Sequence, residues 1–239
     1  MEKIILSIFV PCFNEENNIT NALNNIKEGI QNISYEILIA DDASTDKTVE
    51  MIEKFKKNNP NINTKIFRNE NNRGIGFNYR VIAHKALGKY YMMVTGDGSL
   101  APSEIKKIVN NIGKADMVLP YIIDKRGVFR RILSRVFVFI INLITMNNIK
   151  YYNGPNIHLL ENVKLYSGRR SGFGYSAELI AAQIREGKTY VDVEISTYIK
   201  PSRKEQLLDL RVIPSVIGSI VSIFSNQIIH VVKKILKIK

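Results

Sequence analysis

Residues 35–55 read "YEILIADDASTDKTVEMIEKF". The apolar stretch from Tyr35 to Ala40 fits a buried strand and stops at Asp41-Asp42. Ser44, Thr45 and Asp46 follow, residue types that favour a helix start. Val49, Ile52 and Phe55 then share one helical face. The reading is strand, short polar turn, helix, with a carboxylate pair at the strand tip.

Similar units lie on both sides of this one. "KIILSIFV" (3–10) reads as a buried strand closed by Pro11, and a helix with Ile19, Leu23, Ile26 and Ile30 on one face follows. "NTKIFRN" (63–69) is a third strand, followed by a helical "GIGFNYRVIAHKAL" (74–87). Tyr90–Val94 is a fourth strand, which halts at Thr95-Gly96-Asp97-Gly98. "PSEIKKIVNNI" (102–112) is a helix with Pro in its first turn, and "ADMVLP" (115–120) is a fifth strand. This alternation predicts an α/β fold: a mostly parallel sheet with helices on both faces. Right-handed crossovers bring the strand C-terminal ends to one edge, where open α/β sheets bind ligands. Asp41, Asp42 and Asp97 are thus expected to share a crevice.

The second half is less regular. Residues 128–146 read as a helix with Arg130, Arg131 and Arg135 near its start, and residues 174–187 as another. "TYVDVEI" (189–195) is a strand. The uncharged run 136–149 is about 14 residues, short of the roughly 20 that span a bilayer. In the tail, Ser215, Ser219, Ser222, Asn226, His230, Lys233 and Lys237 recur at steps of three and four, a polar stripe on an otherwise apolar helix. An amphipathic helix is expected there, lying on a membrane surface or packed on the domain or a second copy.

The charge is unevenly placed. Residues 1–120 hold 15 Lys and Arg against 14 Asp and Glu; residues 121–239 hold 19 against 8. The net charge of +12 therefore sits almost wholly in the second half. That points to a polyanionic partner, or to solubilising charge. No aromatic-interleaved or helix-turn-helix signature accompanies it, so nucleic acid is not expected. One cysteine, Cys12, excludes an intramolecular disulfide, and the three histidines have no zinc-ligand spacing. The N-terminus does not read as a signal peptide.

Four stretches, "VPCFNEENNI", "EILIADDASTDKT", "NRGIGFNYRVIAHKALGKYYMMVTGDGS" and "SGFGYSAELIAAQIREGKTYVDVEI", come in an order and spacing that resemble the family 2 glycosyltransferases of GT-A fold. More narrowly, the set is similar to the branch of dolichyl-phosphate mannosyltransferase and bacterial polyprenyl-phosphate glycosyltransferases. The resemblance covers roughly residues 3–205. It implies a Rossmann-like GT-A domain over residues 1–205 with an amphipathic tail over 206–239. It implies an inverting transfer from a nucleotide-diphosphate sugar to a lipid-phosphate, lipid-linked glycan or polysaccharide acceptor. The enzyme would sit in the cytoplasm, peripheral on the inner face of the membrane, with a homo-oligomer also open.

Carried over residue by residue, Pro11, Phe13, Asn14 and Glu15 match the family's first nucleotide loop, and Asp41 and Asp42 match the second. Arg73 and Gly74 fall in its N-x-G-x-G stretch, and Gly96 and Asp97 in the segment that usually reads D-x-D. The family's paired carboxylates hold Mg²⁺ or Mn²⁺ on the donor diphosphate; here the first is Thr95, leaving Asp97 as the implied metal ligand. The family's E-D base motif is also absent, and Glu178 is the remaining candidate base. An ionised lipid phosphate needs no base, so this departure favours a phosphate acceptor. Arg126, Arg130 and Arg131 match phosphate-contacting arginines of the branch, and Arg203 falls near its late basic motif. The two departures leave open a rival reading, a non-catalytic nucleotide-sugar binder.

Overall fold

The computed structural model describes residues 3–122, 128–166, 174–196 and 213–236. In chain order the elements are β1 (Leu6–Cys12), α1 (Ile19–Gly29), β2 (Tyr35–Asp41), α2 (Thr48–Asn58), β3 (Asn63–Arg68), α3 (Ile75–Lys85), β4 (Tyr90–Met93) and α4 (Pro102–Val109). The second half adds β5 (Met117–Ile122), α5 (Val128–Thr145), β6 (Ile157–Leu159), α6 (Leu160–Tyr166), α7 (Tyr175–Arg185), β7 (Tyr190–Ile195) and α8 (Ile213–Leu236).

The strands form one seven-stranded sheet in the order β3-β2-β1-β4-β6-β5-β7. β3, β2, β1 and β4 pair in parallel, as do β5 and β7. The expected mostly parallel α/β sheet is therefore present. One strand departs from it. β6 runs antiparallel to both β4 and β5, joining the two parallel blocks. Neither β6 nor α6 is expected from the sequence, because three and seven residues carry too little periodicity to read.

β1, β2 and β4 bury both faces, as parallel strands covered by helices must, while the edge strand β3 is partly exposed. Leu6, Ile8 and Val10 pack with Ile19, Leu23 and Ile26 of α1, Ile52 of α2 and Ile105 of α4. Phe9, Leu38 and Tyr91 point the other way, onto Tyr79 and Ile82 of α3, Val163 of α6 and Leu179 of α7. A further cluster joins Met117 and Leu119 of β5 to Ile141 of α5, Ile180 of α7 and Ile223 of α8.

The register brings the ligand edge into line. Cys12 pairs with Asp41, and Asp41 with Arg68. On the other side of β1, Val94 N–H donates to the Phe9 carbonyl and Gly96 N–H to the Pro11 carbonyl, carrying β4 past its last paired residue. β2 and β4 thus flank β1, roughly 10 Å apart by strand spacing. Their tips carry Asp41-Asp42 and Asp97.

Candidate active site

Side chains sew the loops after β1 and β2 together. Asn14 N–H donates to Ser44 Oγ (2.9 Å), Glu15 N–H to Thr48 Oγ1 (2.7 Å) and Glu16 N–H to Asp46 Oδ2 (3.1 Å). In return Asn14 Oδ1 accepts from Thr45 N–H (2.9 Å) and Glu16 Oε2 from Lys47 N–H (3.0 Å). Both loops contain a non-glycine residue in the left-handed region, Asn14 at φ 53° and Ala43 at φ 68°. Asn tolerates that conformation; Ala does so at a cost of about 1–2 kcal/mol. The reciprocal bonds hold the pair in this shape. They leave the Phe13 ring 48% exposed at the tip of β1, beside Pro11 and Glu15.

The "DDAST" carboxylates do different jobs. Asp46, not Asp41 or Asp42, serves the start of α2, accepting from Thr48 N–H at 3.0 Å. Asp41 is fully buried; its Oδ1 accepts from Ser44 N–H (3.3 Å) and its Oδ2 from Arg68 Nε (3.1 Å). Asp42 reaches across to the next loop. Its Oδ1 accepts from Arg73 N–H (2.8 Å) and Asn69 Nδ2 (2.8 Å), its Oδ2 from Gly74 N–H (2.9 Å). Burial pulls the Asp42 pKa up, but the Arg73 N–H, the neighbouring amides and the Gly74 N–H outweigh it, leaving the carboxyl below its usual range. Gly74 sits at φ 81° ahead of α3, a conformation that suits glycine. The Arg73 guanidinium lies 4.3 Å from the Phe77 ring centroid.

At the tip of β4, Asp97 Oδ1 accepts from Thr95 Oγ1 (2.8 Å) and Ser99 N–H (3.0 Å). Thr95 stands where the family pattern has its first carboxylate, and it donates to the second. Gly96 is set by its own sheet: a Cβ there would lie 3.0 Å from the Pro11 carbonyl oxygen and 3.1 Å from Cys12 Cβ. The close backbone approach that this glycine permits is an approach to β1. Among the described residues no cluster of three or more His, Cys, Asp or Glu is present. The donors here are one carboxylate and one hydroxyl. Both are hard oxygens and fit Mg²⁺ or Mn²⁺ if diphosphate oxygens and water complete the shell.

The remaining candidate, Glu178, is in the first turn of α7. Its Oε2 accepts from Ser222 Oγ of α8 at 3.3 Å. The α7 start itself borders the site edge, because Tyr175 OH lies 3.0 Å from Met93 Sδ at the end of β4. Arg126 and Arg203 lie outside the described residues. Arg130 and Arg131 fall in the first turn of α5, and only their backbone is described. The structure therefore gathers Pro11–Glu15, Asp41, Asp42, Arg73, Gly74, Gly96 and Asp97 at one edge, and turns Glu178 toward α8. Sequence reasoning missed Ser44, Thr48, Arg68 and Asn69. Their signal was a concentration of hydroxyls and amides next to the motif carboxylates.

Comparison with known proteins bears on the family and the fold. The model of the family "Glycosyl transferase family 2" matches residues 7–172. A dolichyl-phosphate beta-glucosyltransferase of Dictyostelium discoideum is 26% identical over 170 residues, covering 63% of this chain and 52% of that protein. Its namesake from Saccharomyces cerevisiae is 33% identical over 122 residues, 48% of this chain and 36% of that one. The chain thus spans about half or less of these relatives. Among solved structures, glucosyl-3-phosphoglycerate synthase of Mycobacterium tuberculosis with Mn²⁺, UDP and glucosyl-3-phosphoglycerate superposes with a TM-score of 0.74 at 15% identity, over 93% of this chain and 80% of that one. Staphylococcus aureus TarS 1–349 with UDP-GlcNAc gives 0.62 at 17% identity, over 94% and 69%. The fold is theirs, and the match over more than half of its length shows that the chain belongs to glycosyl transferase family 2.

Proposed function

We propose that the protein is an inverting glycosyltransferase that moves a sugar from a nucleotide-diphosphate donor to a lipid-linked acceptor, a polyprenyl phosphate first among them. The observation that carries the donor half is the placing of Asp41, Asp42 and Asp97 on strand tips flanking β1, in a chain of this family. Uridine is the base to test first, since UDP is what the fold neighbours hold.

In this reading Asp41, itself buried, anchors Arg68 and the Ser44 turn at the edge of the base site, and the exposed Phe13 ring offers the base a face. Asn14, Glu15 and Pro11 shape that wall. Asp42 acts at one remove, fixing the Arg73–Gly74 backbone that approaches the diphosphate. Asp97, helped by Thr95, holds the divalent cation. When bound, that cation neutralises charge on the departing diphosphate. The bond from the anomeric carbon to the diphosphate oxygen breaks, and its electron pair leaves with the diphosphate. The acceptor oxygen forms the new bond from the opposite face. A phosphate acceptor is already ionised and releases no proton; with an alcohol, Glu178 would have to turn from Ser222 to take one. Its engagement with α8 supports the phosphate acceptor. Arg126, Arg130, Arg131 and Arg203 are the proposed contacts to that phosphate.

A lipid acceptor requires a membrane surface, and the exposed apolar faces of α5 and α8 support one. The test is incubation with labelled UDP-sugars and polyprenyl phosphate, followed by organic extraction. Label entering the organic phase with release of UDP is expected. Nucleotide binding without turnover on any acceptor would favour the non-catalytic binder.

A further inference from the structure

The tail helix packs the opposite way to a helix meant for water. Part of its polar stripe, Ser219 and Ser222, faces the domain beside the buried Ile223. Ser219 is 1% exposed and fills the space beside Gly174, where a Cβ would run into the Ser219 side chain. Ser222 Oγ donates to Glu178, and His230 Nδ1 lies 4.0 Å from Glu186 Oε1. Its apolar side faces out: Ile217, Val221, Phe224, Ile228 and Ile235 are all exposed. α5 packs against α8 and exposes Phe139 and Leu143, with Met146 just past its end.

By length and composition alone, Pro214–Leu236 is long and apolar enough to cross a bilayer. The contacts decide against crossing. Residues 219, 222 and 230 of α8 meet residues 174, 178 and 186 in the same order, so α8 lies along α7 for about 17 Å. To cross, α8 would have to leave α7 and carry Ser219, Ser222, Asn226 and His230 into hydrocarbon. Lying flat, it keeps Ser219, Ser222 and His230 against α7 and gives the bilayer its apolar side.

We propose that α8 and α5 form one platform that lies in the plane of an anionic membrane surface, without spanning it. The partner follows from charge as well as hydropathy. Pro214–Val232 contains no Asp, Glu, Lys or Arg, while exposed Arg135 on α5 and Lys233 and Lys234 on α8 border the apolar area. Cations around an apolar ridge suit acidic headgroups around acyl chains. The inference rests on the membrane-surface reading above, and not on the transfer chemistry.

The sequence has no tryptophan, so single tryptophans report cleanly. Ile217→Trp, Phe224→Trp, Ile235→Trp and Phe139→Trp all replace exposed side chains. The full chain is mixed with phosphatidylcholine–phosphatidylglycerol vesicles carrying bromine at shallow or deep acyl positions. The expected result is stronger quenching by the shallow label at all four positions, with similar shallow-to-deep ratios. Deep quenching at position 224 with shallow quenching at 217 and 235 would mean a span: the in-plane platform falls and the membrane reading survives. No quenching, with emission that shifts with protein concentration, would assign the face to a second copy and remove both.

Discussion

Thr95 Oγ1 donates to Asp97 Oδ1 at 2.8 Å, so a neutral hydroxyl supports the carboxylate where the family pattern has a second charge. A cation at this tip meets one negative side chain rather than two. Affinity for hard cations rises with ligand charge. Thr95→Asp is expected to tighten Mn²⁺ binding to the nucleotide-loaded protein about tenfold, or about 1.4 kcal/mol. Paramagnetic relaxation of Mn²⁺ by the two proteins measures it; equal affinity would show that Thr95 does not face the cation.

Asp42 is a clamp on the loop ahead of α3. Asp42→Ala leaves the Arg73 and Gly74 N–H groups and the Asn69 amide without their acceptor. The expected loss of stability is about 3 kcal/mol, read from urea unfolding. Because the native carboxyl is held below its usual range, its contribution is present above pH 4 and is lost as pH falls through the lowered value. Asp42→Asn is expected to flatten that acid limb.

His158 works in a higher pH range. It is buried in β6, next to Gln183 Nε2 at 2.9 Å, and burial pushes its pKa down to about 4. The folded protein keeps the ring neutral while the unfolded chain protonates near pH 6.5. Stability is therefore full above pH 6.5 and declines as pH falls toward 4, by about 3 kcal/mol. A His158→Gln variant that still folds is expected to lose this slope.

Gly174 and Ser219 are a lock between α7 and α8. Gly174→Ala drives its new Cβ into Ser219 and is expected to cost about 2 kcal/mol. Ser219→Gly in the same chain is expected to return part of that cost, a coupling visible in a double-mutant cycle. Additive effects would mean that the two helices adjust independently.

The parallel block was legible because each strand and helix carries its own period, as in Tyr35–Phe55. The motif residues were legible as a group, since register follows from parallel pairing. What could not be read were relationships between segments. Ser44 and Thr48 look like helix-capping residues, yet they take N–H groups from a loop about thirty residues away. The stripe on α8 was visible, but periodicity does not say which side the protein occupies. Here the domain takes Ser219 and Ser222 of the stripe together with Ile223. Nor does the sequence show that Gly96 makes room for Pro11 and Cys12 of the neighbouring strand.

The most direct test of the account is calorimetric titration of the protein with UDP and UDP-sugars, with and without Mn²⁺, alongside Asp97→Asn. The native protein is expected to bind nucleotide more tightly with Mn²⁺, and Asp97→Asn to keep the nucleotide but lose the gain. Absence of nucleotide binding at millimolar concentration, or an equal gain in both proteins, would contradict it.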